Sequence, residues 1–281
     1  MSRRPFAAAY GPWAVVGGGS AGLGAAFAAE LARRGLHLVL VARREEPLAR
    51  VAARLRREHA VDVVTVAADL AAPGAAELVA QAARDRPVGL VVVNAALSPA
   101  GPFQGVTAQQ LATAVDLNCR AAVLLSHAFL PAMTERGRGG LILVSSLAGL
   151  QGVPQLAVYS ASKAFLIHLA EALWAENRSA GVDVLVSCPG AVTTPNYRRA
   201  TRRQAPGAQS PAQVASQTLA ALGRGFMVVP GRLNRANAIV LGRLVPRRAA
   251  IWVFGRATRA ALRDHSASGG GTPPPGPRRL P

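Results

Sequence analysis

The sequence predicts a single-domain α/β fold in which a doubly wound parallel sheet of about seven strands is flanked by helices. Short runs of β-branched and aliphatic residues alternate with alanine-rich stretches of helical character. Most of the runs are uninterrupted apolar segments, which is typical of strands buried on both faces of a parallel sheet. The 281 residues, of which 51% are hydrophobic, can fill one large core.

Each candidate strand is short, and most intervals between neighbouring candidates can hold a helix. The candidate strands are residues 13–16, 36–41, 61–66, 88–93, 141–144, 182–187 and 226–229. The clearest helical stretches are residues 25–34, 45–58 and 117–136. This alternation predicts parallel strands with helices on both faces of the sheet.

The predicted domain occupies residues 12–231 and follows a lead-in of residues 1–11. Within it, residues 194–211 are rich in arginine, proline and glutamine and are long enough to form a functional loop. Residues 232–265 are apolar but studded with arginine, and they predict a basic amphipathic helical extension. Residues 266–281 cannot form a core and predict a disordered tail.

The chain is strongly basic, with 32 Lys and Arg residues against 14 Asp and Glu residues and a net charge of +18. A surface for nucleic acid is one interpretation of this charge. Against it, arginine occurs along the whole chain, aromatic residues make up only 5%, and no zinc-finger spacing is present. We therefore favour arginines on solvated faces and predict no nucleic-acid partner.

The two cysteines, Cys119 and Cys188, lack the spacing of metal ligands, so no metal site is predicted. Both lie in apolar stretches, which favours two buried thiols in a reducing compartment. The first 29 residues imitate an export signal, but they also read as a strand, a glycine turn and a helix start. Cleavage would remove that unit, so a cytoplasmic protein is predicted.

A glycine-rich turn follows the first candidate strand and opens a helix. Gly18, Gly22 and Gly24 have the spacing G-x-x-x-G-x-G. Glycines at such positions let the backbone turn tightly and approach a pyrophosphate, and the helix N-terminus offers free N–H groups to it. The strand–turn–helix context predicts a Rossmann-type nucleotide site.

The end of the second strand bears on which nucleotide binds. A site for NAD usually places an acidic residue there, whereas this chain has Arg43 and Arg44. Guanidinium groups suit a 2′-phosphate, so NADP(H) is preferred over NAD(H), although both could be ordinary surface arginines. Asp69 after the third strand either binds an adenine amino group or caps a helix. Asn94 after the fourth strand either faces the ligand crevice or is a plain turn residue.

Tyr159 and Lys163, the only lysine of the chain, are four residues apart and share one face of a predicted helix. A free phenol has a pKa near ~10, and a nearby ammonium group lowers the pKa of a phenol. The tyrosine can then exchange a proton with a carbonyl or an alcohol. Chance is the alternative explanation for this position of the lysine.

Together these motifs resemble the classical short-chain dehydrogenase/reductase (SDR) family over roughly residues 12–230. The resemblance rests on the glycine turn at 18–24, VNAA at 93–96, Asn118, Ser146, the Tyr159/Lys163 pair and PGAVTT at 189–194. It implies the family's fold and an oxidoreductase that interconverts a carbonyl group and a secondary alcohol. A catalytically silent nucleotide-binding protein or a membrane-surface scaffold with the same fold is the alternative.

The resemblance implies four catalytic residues. Tyr159 is the expected general acid/base, and Lys163 tunes it and holds the nicotinamide ribose. Ser146, which lies 13 residues before Tyr159, polarises the substrate oxygen, and its neighbour Ser145 is disfavoured by the spacing. Asn118 holds a water that links Lys163 to solvent.

The resemblance also implies a set of cofactor contacts, with Thr194 on the nicotinamide carboxamide. The expected contacts are Gly18, Ser20, Gly22, Leu23, Gly24, Arg43, Arg44, Asp69, Leu70, Asn94, Ala95, Tyr159, Lys163, Pro189, Gly190, Val192 and Thr194. Three positions depart from the family pattern. Gly17 stands in place of threonine, Val93 in place of asparagine, and Ala96 in place of glycine.

The substrate loop and the extension leave alternatives open. The loop arginines either attract an acidic substrate or are solvated, which we favour, and Tyr197 could reach into the pocket. In a helix that starts at Pro246, the apolar residues lie opposite the arginines. That helix either lies on an anionic membrane or docks against protein, which we favour. The arginines are Arg248, Arg256, Arg259 and Arg263, and the apolar residues are Ile251, Val253, Phe254, Ala257, Ala261 and Leu262.

The expected partners follow from the resemblance. They are a small-molecule carbonyl or alcohol substrate and a second copy of the chain, since family members are commonly dimers or tetramers. Peripheral contact with the inner face of a membrane through the basic helix is the remaining alternative.

Overall fold

The computed structural model describes residues 5–200, 204–240, 245–252 and 255–256, without the side chains of residues 199 and 200. Its centre is a seven-stranded parallel sheet with the strand order β3-β2-β1-β4-β5-β6-β7. The strands are β1 Trp13–Gly17, β2 His37–Ala42, β3 Val63–Ala67, β4 Val88–Val93, β5 Gly139–Val144, β6 Val182–Ser187 and β7 Met227–Val228. The predicted Rossmann-type fold and its seven strands are confirmed.

Helices connect the strands and cover both faces of the sheet. They are α1 Phe6–Tyr10, α2 Gly22–Arg33, α3 Glu45–His59, α4 Ala75–Ala82, α5 Ala108–Val115, α6 Ala121–Glu135, α7 Ala157–Asn177, α8 Pro195–Ala200, α9 Pro211–Ala221 and α10 Arg232–Ile239. Short 3-10 turns lie at Phe103–Gly105, Leu147–Leu150 and Arg178–Ala180. The stretch predicted as one helix over 117–136 is instead divided, because a π-helical turn at Asp116–Arg120 precedes α6.

Side chains of the strands pack into two separate apolar layers, one on each face of the sheet. Val15, Val39 and Val91 belong to one layer, while their neighbours Val16 and Val92 belong to the other. Because side chains alternate between faces and both faces are covered, every position of β4 and β5 is buried. This explains the uninterrupted apolar runs of the sequence.

The lead-in forms the helix α1, which packs against the amino-terminal edge of the sheet. Tyr10 is buried, and its hydroxyl donates to Asp183 Oδ2 at 2.6 Å, which joins α1 to β6. The backbone of Tyr10 and Gly11 also passes so close to Gly89 that a Cβ on Gly89 would lie 2.5 Å from the Tyr10 carbonyl oxygen. Tyr10 and Gly11 thereby join α1 to β4 and β6.

The carboxyl-terminal extension lies against the domain in its described part. Helix α10 contacts the turn Leu147–Leu150, and residues 247–252 are helical with Ala250 fully buried. Gly255 packs on Pro154, where a Cβ would lie 2.9 Å from the proline ring. These contacts support docking against the protein itself. Val253, Phe254 and residues 257–281, which carry the rest of the predicted helix and the predicted tail, lie outside the described residues.

Among the residues that the structure describes, no helix has both the length and the hydropathy that crossing a bilayer requires.

Candidate active site

The predicted site residues meet at the carboxyl ends of the strands. Strand order reverses between β1 and β4, since β1 continues to β2 on one side while β4 continues to β5 on the other. In open α/β sheets the ligand crevice lies outside the carboxyl ends at such a switch point. Gly17, Val93 and Val144 end three of these central strands, so the segments that follow them line this crevice.

The glycine turn after β1 has the tight geometry that a pyrophosphate needs. Gly18 has φ +80° and Gly22 has φ +56°, a left-handed conformation that glycine adopts without strain. A Cβ on Gly24 would lie 2.0 Å from the carbonyl oxygen of Gly18, and a Cβ on Gly18 would lie 3.0 Å from the backbone of Ala95. The glycines at these positions therefore keep the backbone close together and the cradle open.

Helix α2 points its amino-terminal end at this cradle. The residue before it, Ala21, makes no side-chain cap, so the first N–H groups of the helix receive no capping bond from this residue. Such groups bind phosphate. Ser20 is partly buried at the turn, whereas the Leu23 side chain belongs to the apolar core, so Leu23 has only its backbone to offer a nucleotide.

Arg43 and Arg44 follow β2 and are exposed, as a recognition site for a 2′-phosphate requires. Arg43 Nη1 lies 4.0 Å from Asp69 Oδ2, so these side chains stand at the ends of adjacent strands. Asp69 Oδ1 also accepts from the Ala71 N–H at 3.0 Å. Asp69 does not cap a helix, since α4 begins only at Ala75. It caps a turn instead.

Leu70 and Asn94 close the floor of the crevice. Leu70 is 5% exposed, and its side chain packs beneath Gly17. The Asn94 side-chain amide lies between Gly18 and Gly24, with Nδ2 3.5 Å from the Gly18 carbonyl oxygen. The backbone N–H of Ala95 donates to the Gly17 carbonyl at 3.1 Å. The predicted contacts after β1 and β4 are thus brought together.

Ser146, Tyr159 and Lys163 converge beyond the end of β5. Ser146 is the first residue of the turn that leads to Leu147–Leu150, and its hydroxyl accepts from the Ala148 N–H at 3.1 Å. Tyr159 and Lys163 lie one turn apart in α7, and Lys163 Nζ is 5.6 Å from the centre of the Tyr159 ring. The Ser146 side chain lies near enough to the Tyr159 hydroxyl to lower the pKa of the phenol, against the larger effect of burial. The two hydroxyl groups can therefore face one substrate oxygen.

Lys163 is 2% exposed, and its Nζ donates to the Val144 carbonyl at 2.8 Å. Burial lowers the pKa of Lys163 to about 8, against a small opposing effect of Cys119 and Cys188. Burial raises the pKa of both thiols, that of Cys188 to about 12. Cys188 is buried as predicted, whereas Cys119 is only partly buried.

The pKa of Tyr159 moves in the direction opposite to the one expected from the sequence. Burial raises it, and the hydrogen bond from Ser146 opposes that effect. The expected lowering by Lys163 does not occur in this structure, because the ammonium group turns to the Val144 carbonyl. The phenol is therefore protonated at neutral pH, which is the state that donates a proton.

Asn118 is buried in the π-helical turn, and its side chain is fully engaged. Oδ1 accepts from the Leu97 N–H at 2.8 Å, and Nδ2 donates to the Leu97 carbonyl and to Ser162 Oγ, each at 2.9 Å. Ser162 in turn donates to the Tyr159 carbonyl. The amide thus ties the segment after β4 to the helix of Tyr159, and π-helical turns often occur at functional sites.

Two serines have structural contacts near the reacting groups. Ser145 is buried, and its hydroxyl donates to the Lys163 carbonyl at 2.7 Å, which holds α7 against the end of β5. This contact supports the choice of Ser146 over Ser145. Ser162 was not predicted, although its position between Tyr159 and Lys163 on the same helix is a usable signal.

The segment after β6 reaches the glycine cradle. The Leu147 N–H donates to the Pro189 carbonyl at 2.9 Å. Thr194 lies beside the cradle, since a Cβ on Gly22 would be 3.1 Å from its methyl group. The Thr194 hydroxyl accepts from the Tyr197 N–H at 3.2 Å, and the Tyr197 hydroxyl accepts from the Ala205 N–H at 2.8 Å. Tyr197 thus joins α8 to Ala205 within the segment 194–211 that was predicted as a substrate loop.

Acidic residues are distributed very unevenly. Residues 184–263 contain 13 arginines and no Asp or Glu, although arginine itself occurs along the whole chain. Each ion pair among the described residues lies before residue 172. The loop and extension beside the crevice are therefore positive, and a positive surface attracts anions such as phosphates.

The described residues contain no cluster of His, Cys, Asp or Glu that could hold a metal ion. Their glycine cradle, free helix terminus and exposed arginines fit a dinucleotide with phosphate groups.

Comparison with known proteins agrees with this geometry. Residues 12–205 match the sequence model of the short chain dehydrogenase family. The human inactive hydroxysteroid dehydrogenase-like protein 1 is 37% identical over 196 residues, which cover 69% of this chain and 59% of that relative. A match to this protein therefore spans less than two thirds of its length.

Two solved structures are also similar. That of a 7beta-hydroxysteroid dehydrogenase has a TM-score of 0.85 and 27% identity, and the alignment covers 90% of this chain and 100% of that chain. A short-chain dehydrogenase from Sphingobium yanoikuyae in complex with NADPH has a TM-score of 0.72 and 28% identity, over 94% of this chain and 98% of that chain.

Proposed function

Because the chain belongs to the short-chain dehydrogenase family, we propose that it is an NADP(H)-dependent oxidoreductase that interconverts a carbonyl group and a secondary alcohol. The observation that carries this proposal is the convergence of Ser146, Tyr159 and Lys163 beside the glycine cradle. The similar 7beta-hydroxysteroid dehydrogenase supports an alcohol or carbonyl substrate.

In reduction, the Ser146 hydroxyl donates a hydrogen bond to the carbonyl oxygen of the substrate. Tyr159 donates its proton to the same oxygen as negative charge develops there. The raised pKa of Tyr159 suits this direction, since it keeps the phenol protonated. The nicotinamide supplies the hydride when it is bound. In oxidation, Tyr159 accepts the proton of the alcohol.

Lys163 has two roles in this scheme. Its ammonium group lies next to the Tyr159 ring, and a turn away from the Val144 carbonyl would let it stabilise the phenolate that forms when the proton leaves. With its pKa at about 8, Lys163 can also return a proton to that phenolate near neutral pH. Asn118 holds α7 and the segment at Leu97 together, so we propose that it positions Tyr159.

Arg43 and Arg44 favour NADP(H) over NAD(H), because a guanidinium group pairs with a 2′-phosphate. The NADPH complex of the similar Sphingobium protein supports the same cofactor. The cradle would hold the pyrophosphate, and the segment from Pro189 to Thr194 would line the nicotinamide end.

The test is a fluorescence titration with NADPH and NADH at one salt concentration, followed by NADPH oxidation with a panel of ketones and aldehydes. We expect tighter binding of NADPH and turnover of at least one carbonyl compound. The double variant Arg43→Ala/Arg44→Ala should lose the preference, whereas Arg57→Ala, an exposed arginine of α3, should keep it. Equal binding of both cofactors by the wild type would refute the assignment of the arginines.

A catalytically silent nucleotide-binding protein is the second candidate, because the name of the human relative calls that protein inactive. Tight binding of NADPH without turnover of any carbonyl or alcohol in the panel would favour it. The presence of Ser146, Tyr159 and Lys163 in one site favours the enzyme.

A second copy of the chain is the proposed protein partner. Helix α7 exposes Phe165, and α5, which contacts α7, exposes Val115. Helix α6 exposes Val123. Burying these side chains against a second copy would remove apolar surface from water. Cytoplasmic residence and membrane contact through the basic extension stay predictions.

A further inference from the structure

Asn234 is a buried amide in the carboxyl-terminal extension that contacts three separate segments. It lies in α10 and is 3% exposed. Its Nδ2 donates to the Gly207 carbonyl at 3.0 Å and to the Pro230 carbonyl at 3.2 Å, so both amide protons are used. The first bond crosses from the extension to the end of the substrate loop.

The oxygen of the same amide fits against two glycines. A Cβ on Gly190 would lie 2.7 Å from Asn234 Oδ1, and a Cβ on Gly207 would also lie 2.7 Å from it. Gly207 has φ +78°, a conformation that favours glycine in any case. Gly190 has no such backbone requirement, so contact with Asn234 is the steric reason for glycine there.

The loop end that Asn234 holds is paired with the cofactor segment. The Gln209 N–H donates to the Ala191 carbonyl at 3.0 Å, and the Thr193 N–H donates to the Gln209 carbonyl at 2.9 Å. These bonds form a parallel bridge between Val192 and Gln209. Thr194, the next residue, lies against Gly22 of the cradle.

The polar fastening at this point is sparse. Gln209 Oε1 is buried and has no hydrogen-bond partner among the described residues, and an unpaired buried acceptor lowers stability. The bridge is only one residue wide. A further bond runs from the Thr193 hydroxyl to the Gln209 carbonyl at 3.3 Å. Asn234 adds the contacts that hold Gly207 and Gly190, which lie next to this bridge.

We propose that Asn234 is a positioning residue that fixes the segment Ala191–Thr194 at the cofactor through the end of the substrate loop. The inference rests on the proposed function in so far as this segment contacts the cofactor. The extension then belongs to the working site and is not an appendage.

The experiment compares Asn234→Ala with Asn237→Ala, an exposed asparagine of the same helix. Hydrogen exchange is followed in cofactor-free protein by fragmenting deuterated peptides that cover residues 189–210. We expect the amides of Thr193 and Gln209 to exchange at least tenfold faster in Asn234→Ala and unchanged in Asn237→Ala. The Kd of NADPH should rise at least fivefold in Asn234→Ala only. Unchanged exchange at both amides would overturn the proposal.

A second, steric test starts from Gly190 and uses Asn234→Ala only as the second member of a double-variant comparison. Gly190→Ala places a methyl group against Asn234, and it should weaken NADPH binding at least tenfold. In the double variant with Asn234→Ala, the added methyl should have less than half that effect, because its obstacle is gone. Strictly additive effects would contradict the proposed contact. If the wild type binds no NADPH, the proposed function fails, while the exchange experiment still decides the role of Asn234.

Discussion

Lys163 is buried close to Tyr159, and replacing it should change the stability and the activity of the protein independently. In the variant Lys163→Met the charge disappears while the length of the side chain is nearly kept. Burial lowers the pKa of Lys163 from 10.5 to about 8. Each pKa unit corresponds to ~1.4 kcal/mol, so holding this charge in the folded protein at pH 7 costs roughly 3 kcal/mol.

The sign of the pH dependence follows from the two pKa values. The folded pKa lies below the unfolded one, so between about pH 8 and 10.5 the unfolded chain binds more protons. Wild-type stability therefore rises with pH through this window relative to Lys163→Met, which has no such group. We expect the difference in unfolding free energy, variant minus wild type, to fall by roughly 2 kcal/mol between pH 7 and pH 10.

The assay is urea unfolding of both proteins at several pH values, combined with NADPH-dependent turnover at pH 7. Loss of the hydrogen bond to Val144 changes the difference in unfolding free energy by a similar amount at every pH, so the dependence of that difference on pH stays the same. Arg57→Met, at an exposed position, should show no such slope. A difference that stays constant from pH 7 to pH 10 would refute the buried, depressed lysine. Turnover should be lost in Lys163→Met even where it is the more stable protein.

Three further outcomes are expected. Gly24→Ala should abolish detectable NADPH binding, because its methyl group would meet the Gly18 carbonyl oxygen at 2.0 Å. Calorimetry measures the affinity, and retained affinity would contradict the assignment of the glycine turn as the pyrophosphate site. Phe165→Glu should lower the oligomeric mass in light scattering, whereas Leu78→Glu, also exposed but on α4, should not; equal behaviour of both would exclude the α7 face. The association rate of NADPH in stopped flow should fall roughly threefold or more from low to physiological salt, because the stretch 184–263 contains 13 arginines and no acidic residue. A rate independent of salt would count against electrostatic steering.

The strands could be predicted because burial on both faces requires an uninterrupted apolar run in the sequence. The runs 88–93 and 182–187 coincide with β4 and β6, and the others differ by one or two residues at their ends. Strand β7 lies at the edge of the sheet, pairs with β6 alone and is only two residues long. The π-helical turn at Asp116–Arg120 was not predicted, because its residues continue the helical pattern on both sides.

The gathering of the site residues could also be predicted, since the carboxyl ends of parallel strands share one edge. What the sequence could not supply was burial and direction. The pKa of Tyr159 is raised because the phenol is enclosed, and the Lys163 ammonium finds a backbone carbonyl that no motif reveals. The contacts of Asn234 could not be predicted, because its partners, Gly190 and Gly207, are distant in sequence.

The most direct test of Tyr159 as the general acid compares wild type with Tyr159→Phe in two measurements on the same preparations. One is the Kd of NADPH by fluorescence, and the other is kcat for a carbonyl compound that the wild type reduces. We expect an unchanged Kd and a kcat lower by roughly a hundredfold to ten-thousandfold, since only the proton donor is removed. A variant that binds NADPH and reduces the same compound at the wild-type rate would contradict the assignment of Tyr159 as the general acid.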